Sequence, residues 1–367
     1  MNLSFLLVER TPYHDTLFQE IHYNNINLDI YYLQRINERR PWKLDREPWK
    51  TYYVDNFKQF INTFVKNMFS VRPDLVVVAG FAAPKVMTAY LLLRLLGIHF
   101  AFFSDVPRFH IKRSFIKHAL RLAILKWIFK NAHAALAMGQ PGIESLKILG
   151  CPPEKIRNFP CTVDTREPEG LNDHNKEEAK LIQRTHAPKG ELIFLCVGRL
   201  VNEKAHEIAL EAFARVFTQR PDSPAVLLMA GDGPRRKELQ ELAANLGIAP
   251  RVHFLGWRQP EEMKAIFHAA DILVNPSRLD NYGVVILEAM SWGLPVLASN
   301  QTMAAVDRVR HGESGFIHQA GDSQELSQHM IYLLDNPAEV AAMGEKAKLT
   351  AAEWPVSRNV QTILELL

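Results

Sequence analysis

The chain has 367 residues, 47% of them apolar and 23% charged. That globular balance excludes intrinsic disorder, collagen-like repeats and a small disulfide scaffold. At about 150 residues per domain the length predicts two to three domains, each large enough to bury its own core. The net charge is only +3, but it is unevenly placed. Residues 1–170 carry 23 Lys and Arg against 15 Asp and Glu, and residues 171–367 carry 20 against 25. The first half is therefore the half expected to meet something anionic. Three cysteines, Cys151, Cys161 and Cys196, form no CxxC pair and predict a reduced, cytoplasmic setting. The opening MNLSFLLVER reads as a first strand rather than a signal peptide.

Short β-rich runs alternate with helical patterns. Strands are predicted at 3–8, 28–32, 75–79, 99–103 and 134–137, with helices near 15–24, 52–69, 84–96, 112–130 and 141–149. After a polar stretch, 165–190, which reads as an interdomain linker, strands are predicted at 192–197, 225–230, 252–255, 272–275 and 295–298. Helices fall near 203–218, 234–246, 261–269, 283–292, 323–335 and 337–351, and a last apolar helical face is spaced by Val356, Val360 and Ile363. Strand–helix alternation predicts parallel sheets covered by helices on both faces. The expected architecture is α/β, two doubly wound domains facing across a cleft. Their boundaries are 1–164, the linker, 191–354 and a C-terminal helix over 355–367 that returns to the first domain.

Two segments of the second half carry the chemistry. The strand ending at Val197–Gly198 is followed by Arg199 and Lys204, two cations able to neutralise a diphosphate; ion pairing with Glu203 or Glu207 is the alternative. The strand ending at Asn275 is followed by Asn281–Tyr282–Gly283–Val284, a loop-to-helix junction with unpaired amides suited to an anion. Glu288, one turn into that helix, is an acceptor-only carboxylate matched to the two hydroxyls of a ribose, or else a solvated helix residue. No Asp-x-Asp and no metal-spaced Cys/His cluster occurs in the sequence, so no metal site is expected.

The runs Val197–Gly198–Arg199–Leu200 with Lys204, Gly231–Asp232–Gly233–Pro234, Val252 through Gly256, and Pro276–Ser277 through Glu288–Ala289–Met290 occur in an order that resembles the retaining glycosyltransferases of family 4, the group 1 glycosyl transferases. The resemblance implies the GT-B fold of two Rossmann-like domains. It implies that Gly198, Arg199 and Lys204 hold and stabilise the donor diphosphate and that the backbone near Phe254 and Leu255 brackets the base. It further implies that Tyr282, Gly283 and Val284 line the donor site and that Glu288 binds the ribose. The family's paired acids, Glu-x7-Glu, fall on Asp280 and Glu288, the former one methylene shorter. Ala205 stands where the family has Gly, a departure expected to affect close packing. In the first half, Cys161–Thr162–Val163–Asp164 resembles the family's P-N-G-V-D signature and Thr11–Pro12–Tyr13–His14 a subgroup's opening loop. His14 is a candidate acceptor-side residue or a structural histidine. Asp105, after the strand at 99–103, is a candidate catalytic acid or a turn aspartate.

Residues 106–143 hold seven Lys and Arg and no Asp or Glu, interleaved with apolar residues. Such a helix suits an anionic membrane surface, the alternative being a solvated basic face. Trp42 and Trp49 offer an apolar acceptor wall. The expected activity is metal-independent transfer of a hexose, with retention, from a UDP- or GDP-sugar to a saccharide or polyprenyl-linked saccharide, as in surface polysaccharide or glycolipid synthesis. No further cofactor and no nucleic-acid partner are expected, and the expected location is cytoplasmic or peripheral on the inner membrane face. A nucleotide-sugar 2-epimerase and a catalytically silent partner subunit are the alternatives.

Overall fold

The computed structural model describes residues 1–35, 42–43, 47–104, 115–166 and 168–367. The chain divides into two compact units, Met1–Thr162 with Val356–Leu367, and Val163–Pro355.

The first unit runs β1 (Asn2–Leu7), α1 (Pro12–Tyr23), β2 (Asn27–Tyr32), β3 (Lys50–Tyr53) and α2 (Phe57–Gln59). A π-helical turn, Phe60–Val65, leads into α3 (Lys66–Ser70). Next come β4 (Leu75–Ala79), α4 (Pro84–Leu96), β5 (His99–Ser104), α5 (Phe115–Asn131), β6 (Ala134–Ala137), α6 (Gly139–Ile148) and β7 (Ile156–Asn158). All pairings are parallel, in the order β3-β2-β1-β4-β5-β6-β7. The strands are short apolar runs such as LVVVA in β4, buried along most of their length. One face of the sheet packs on α4 and α5 through Tyr90, Leu93, Leu125, Ile128 and Phe129.

The second unit begins with α7 (Asp173–His186), then β8 (Leu192–Val197), α8 (His206–Gln219), β9 (Ala225–Ala230), α9 (Arg236–Asn245), β10 (Val252–Gly256), α10 (Pro260–Ala269), β11 (Ile272–Asn275) and α11 (Val285–Ser291). It closes with β12 (Val296–Ser299), α12 (Met303–Arg308), β13 (Gly315–His318), α13 (Ser323–Asp335) and α14 (Pro337–Ala352). Its parallel sheet has the order β10-β9-β8-β11-β12-β13. The last helix, α15 (Val356–Leu364), belongs to the first unit. There Val360 and Ile363 are buried and the Asn359 amide donates to the Pro160 carbonyl at 2.7 Å.

Several elements differ from the sequence reading. The polar stretch read as a linker holds α7, capped by Asn172, whose side chain accepts from the Asn175 amide. Its buried contact is narrow: Ala179, with Ile182, against Ala265 and Ala269 of α10. A helix that buries one small-residue stripe can be polar elsewhere, which is why composition alone read as linker. The residues at 50–53, read as the approach and start of a helix, form edge strand β3, with Tyr52 stacked on Tyr31 at 4.9 Å between ring centres. The strands β7 and β13 are three- and four-residue edges, too short for a period-two signal.

Candidate active site

In each sheet the chain first builds outward one way and then returns to build the other, leaving one switch point. Open α/β sheets bind ligands there, beyond the carboxyl ends of the two flanking strands. In the second unit the strands flanking it are β8 and β11. Gly198, Arg199 and Lys204 follow β8; Asp280, Tyr282, Gly283, Val284 and Glu288 follow β11.

The two segments meet. Lys204 forms an ion pair and hydrogen bond with the Asp280 carboxylate, both side chains largely buried. The lysine stem runs over Gly198, whose missing Cβ would touch its Cδ at 3.7 Å. The loops are also laced through their backbones: the Arg278 and Leu279 amides donate to the Glu203 carbonyl at 2.9 and 3.3 Å. The Asp280 amide donates to Gln301 at 3.0 Å, and Thr302 Oγ1 donates to Asn275 Oδ1 at 2.8 Å. An ammonium has three N–H donors, and Asp280 engages one. The pairing therefore orients Lys204 while leaving donors for a second anion.

The alternative pairing of the cations with Glu207 does not occur. That carboxylate is bound by Arg235 at 2.6 Å and by Arg278. Burial pushes its pKa up, but the hydrogen bonds from Arg278 and Arg235 outweigh this and hold it below the usual value. Arg199 is half-buried and has no side-chain partner among the described residues.

One expectation changes, at Ala205. Ala205 adopts φ 51° and ψ 39° and is fully buried, so what the family's glycine supplies here is a left-handed backbone, not room. Tyr282 is 4% exposed; its hydroxyl donates to Asp307 at 3.4 Å and its carbonyl accepts from the Ala304 amide at 2.6 Å. Its side chain is scaffold, and only its backbone borders the loop. Phe254 packs its ring against the core while its carbonyl accepts from Arg236 at 3.3 Å; Leu255 beside it is half-buried. Helix α11 starts at Val285, so Gly283, at φ 88°, and Val284 are its lead-in. Glu288 is the fourth residue of α11 and half-buried.

Glycines set the tightest clearances. A Cβ on Gly231, which follows β9, would sit 1.9 Å from the Gly198 carbonyl oxygen, and one on Gly283 would sit 2.6 Å from Thr302 Cγ2. Gly231→Ala is expected to push Gly198 out of place and to destabilise the chain by about 1–3 kcal/mol. A urea midpoint equal to that of the native chain would refute this.

In the first unit the switch point lies between β1 and β4. His14 sits on α1, after β1. Its pKa is lowered to about 4 because desolvation outweighs a hydrogen bond to the Glu9 backbone. Its Nδ1 is buried without a partner. It borders an apolar pocket with Leu7, Phe103, Phe159 and Cys161. Beside it Arg10 bridges Asp15 at 2.6 Å and Glu47 at 2.8 Å, an ion triad the sequence reading missed. Trp49 belongs to the core, edge-on to Phe18 at 5.7 Å, not to an acceptor wall. Asp164 pairs with Arg166 at 2.9 Å. Asp105 lies outside the described residues, as do Arg108, Lys112 and Arg113. Among the described residues no group of three His, Cys, Asp or Glu side chains is placed to hold a metal ion.

Against known proteins, the family described as "Glycosyl transferases group 1" matches residues 177–350. This segment belongs to the group 1 glycosyl transferases. A D-inositol 3-phosphate glycosyltransferase of Corynebacterium urealyticum is 35% identical over 176 residues, 46% of this chain and 41% of that protein. The Rhodococcus jostii protein of the same name is 31% identical over 48% of this chain and 40% of its own. The matches thus span about two fifths of those relatives. Among solved structures, HepE of Anabaena in complex with UDP superposes with TM-score 0.79 and 18% identity over 100% of this chain and 99% of that one. WaaG, a glycosyltransferase of lipopolysaccharide biosynthesis, gives TM-score 0.70 and 16% identity over 98% of each. The fold is GT-B, two Rossmann-like domains.

Proposed function

We propose that this chain is a glycosyltransferase that moves a hexose, with retention and without a metal ion, from a nucleotide-diphosphate sugar to a saccharide or polyprenyl-linked saccharide in surface polysaccharide or glycolipid assembly. The observation that carries the reading is the junction at the β8/β11 switch point, where Lys204, held by Asp280 over Gly198, lies beside two laced loops. In this reading Arg199 and the free donors of Lys204 bind the diphosphate. As the bond from the sugar to the β-phosphate breaks, they stabilise the charge that develops on the leaving oxygen, the role a metal otherwise fills. The backbone amides of Gly283 and Val284 add donors on the other side. Asp280 accepts from sugar hydroxyls, and Glu288 from those of the ribose. His14 faces the acceptor, and Asp105 acts near the reacting sugar.

UDP is the favoured nucleotide, because HepE, whose fold this chain shares, was solved with UDP. The test is a transfer and hydrolysis screen with UDP-, GDP- and ADP-sugars, with and without chelator. Sugar transfer from one nucleotide class, undiminished by EDTA, is expected. Conversion of a UDP-N-acetylhexosamine with no acceptor present indicates the epimerase instead. Absence of turnover and of any nucleotide-induced thermal shift indicates a silent subunit.

A further inference from the structure

The turn that leads into α11, residues 280–284, has a support to which the glycosyl-transfer reading assigns no role. Its amides point wherever the backbone is held, and Gly283, at φ 88°, brings no side chain of its own to hold it. The support is α12. Just ahead of that helix Thr302 forms a parallel bridge with Asp280, and its Cγ2 lies 2.6 Å from where a Cβ on Gly283 would sit. The first two amides of α12, those of Met303 and Ala304, donate to the Asp280 and Tyr282 carbonyls at 3.3 and 2.6 Å. The helix has six residues, so it is about 9 Å long. At its far end the Asp307 carboxylate accepts from the Tyr282 hydroxyl at 3.4 Å. One tyrosine is thus gripped at its carbonyl by one end of α12 and at its hydroxyl by the other.

Asp307 is itself held. Arg308 Nε donates to the same carboxylate oxygen, Oδ2, at 3.1 Å, and both side chains are 8% exposed. Consecutive residues on a helix do not face each other, so something must turn the arginine back toward its neighbour. Trp354 does this. The guanidinium carbon lies 5.4 Å from the centre of the indole ring, a cation–π contact that fixes the plane of the fork. Next to Trp354, Glu353 pairs with Arg310, so the segment before Pro355 is tied twice to the residues at the end of α12. We propose that Arg308 is a positioning residue of the donor site: clamped on Trp354, it holds Asp307 against Tyr282 and so sets the direction of the Gly283 and Val284 amides. The proposal rests on the reading of that turn as a diphosphate site.

The test is UDP binding by the full chain, followed by titration calorimetry, which reads the affinity and the number of competent sites separately. Arg308→Gln is expected to raise the Kd for UDP about tenfold, and Trp354→Leu and Tyr282→Phe about threefold each. The number of sites per chain should stay at the native value. Trp354→Phe restores an aromatic face under the guanidinium and should bring the Kd back toward native. A merely structural tie would lower the urea midpoint and the number of sites and leave the Kd of the folded chains unmoved, and that result overturns the proposal. Arg308→Gln strands a mostly buried carboxylate. Should that variant not fold, Trp354→Leu and Tyr282→Phe, which remove no charge, carry the same comparison, and native affinity in both overturns the proposal. A native chain that binds none of UDP, GDP and ADP overturns the donor reading itself. A native chain that binds UDP while every variant binds it equally well overturns this proposal alone.

Discussion

Replacing Lys204 by alanine is expected to lower sugar transfer by about a hundred- to a thousandfold, the usual loss when one preorganised donor to a developing oxyanion is removed. The same change strips Asp280 of its partner, and its carboxylate is 13% exposed. Stability therefore falls too, through an uncompensated, mostly buried charge. The two effects separate in a double-mutant cycle. Asp280→Asn alongside Lys204→Ala removes the orphaned charge and should restore the urea midpoint toward that of the native chain, while transfer stays low. Were the pair merely a structural tie, stability and transfer would recover together. Undiminished turnover in the single variant would remove Lys204 from the chemistry altogether.

The residues explain which parts of this molecule could be read in advance. Strands such as β4 and β9 are continuous apolar runs between turn residues, and α8 buries a broad face that includes Ile208, Phe213 and Val216. Such patterns are set locally, so the alternation was legible. What was not legible depended on tertiary partners. The helix α7 is polar because its buried stripe is small, and β13 is recognised only by pairing with β12. At the site, sequence offered Glu203 or Glu207 as ion-pair partners of the cations and did not offer Asp280, which the structure pairs with Lys204. That pairing is fixed by Arg235 and Arg278, which take Glu207 and leave Asp280 to the lysine. Neither arginine stood out, because an ion pair between loops from different strands leaves no spacing signal. Ala205 was visible as a departure, but the reason for it, a left-handed backbone, requires coordinates.

Acid is expected to destabilise the chain well before its carboxylates titrate, and His206 is the clearest cause. It follows Ala205 at the start of α8, is 2% exposed, and its Nδ1 has no partner. Desolvation, helped by the positive charges of Lys204 and Arg235 and opposed by Glu207, lowers its pKa to about 4. The unfolded chain, with a histidine pKa near 6.5, therefore binds this proton first as pH falls. The neutral ring's contribution is complete above about pH 6.5 and is lost as pH drops toward 4, about 3 kcal/mol over that window. His14 in the first unit, also lowered to about 4 by burial, adds a loss of the same sign. Urea midpoints from pH 7.5 down to about 4.5 should fall steeply for the native chain and less steeply for His206→Leu, whose ring cannot charge. Parallel curves would clear His206 of the effect. Because His206 adjoins the turn that carries Lys204, transfer should fade over the same window, and His206→Leu should retain a larger fraction of its neutral-pH rate in acid.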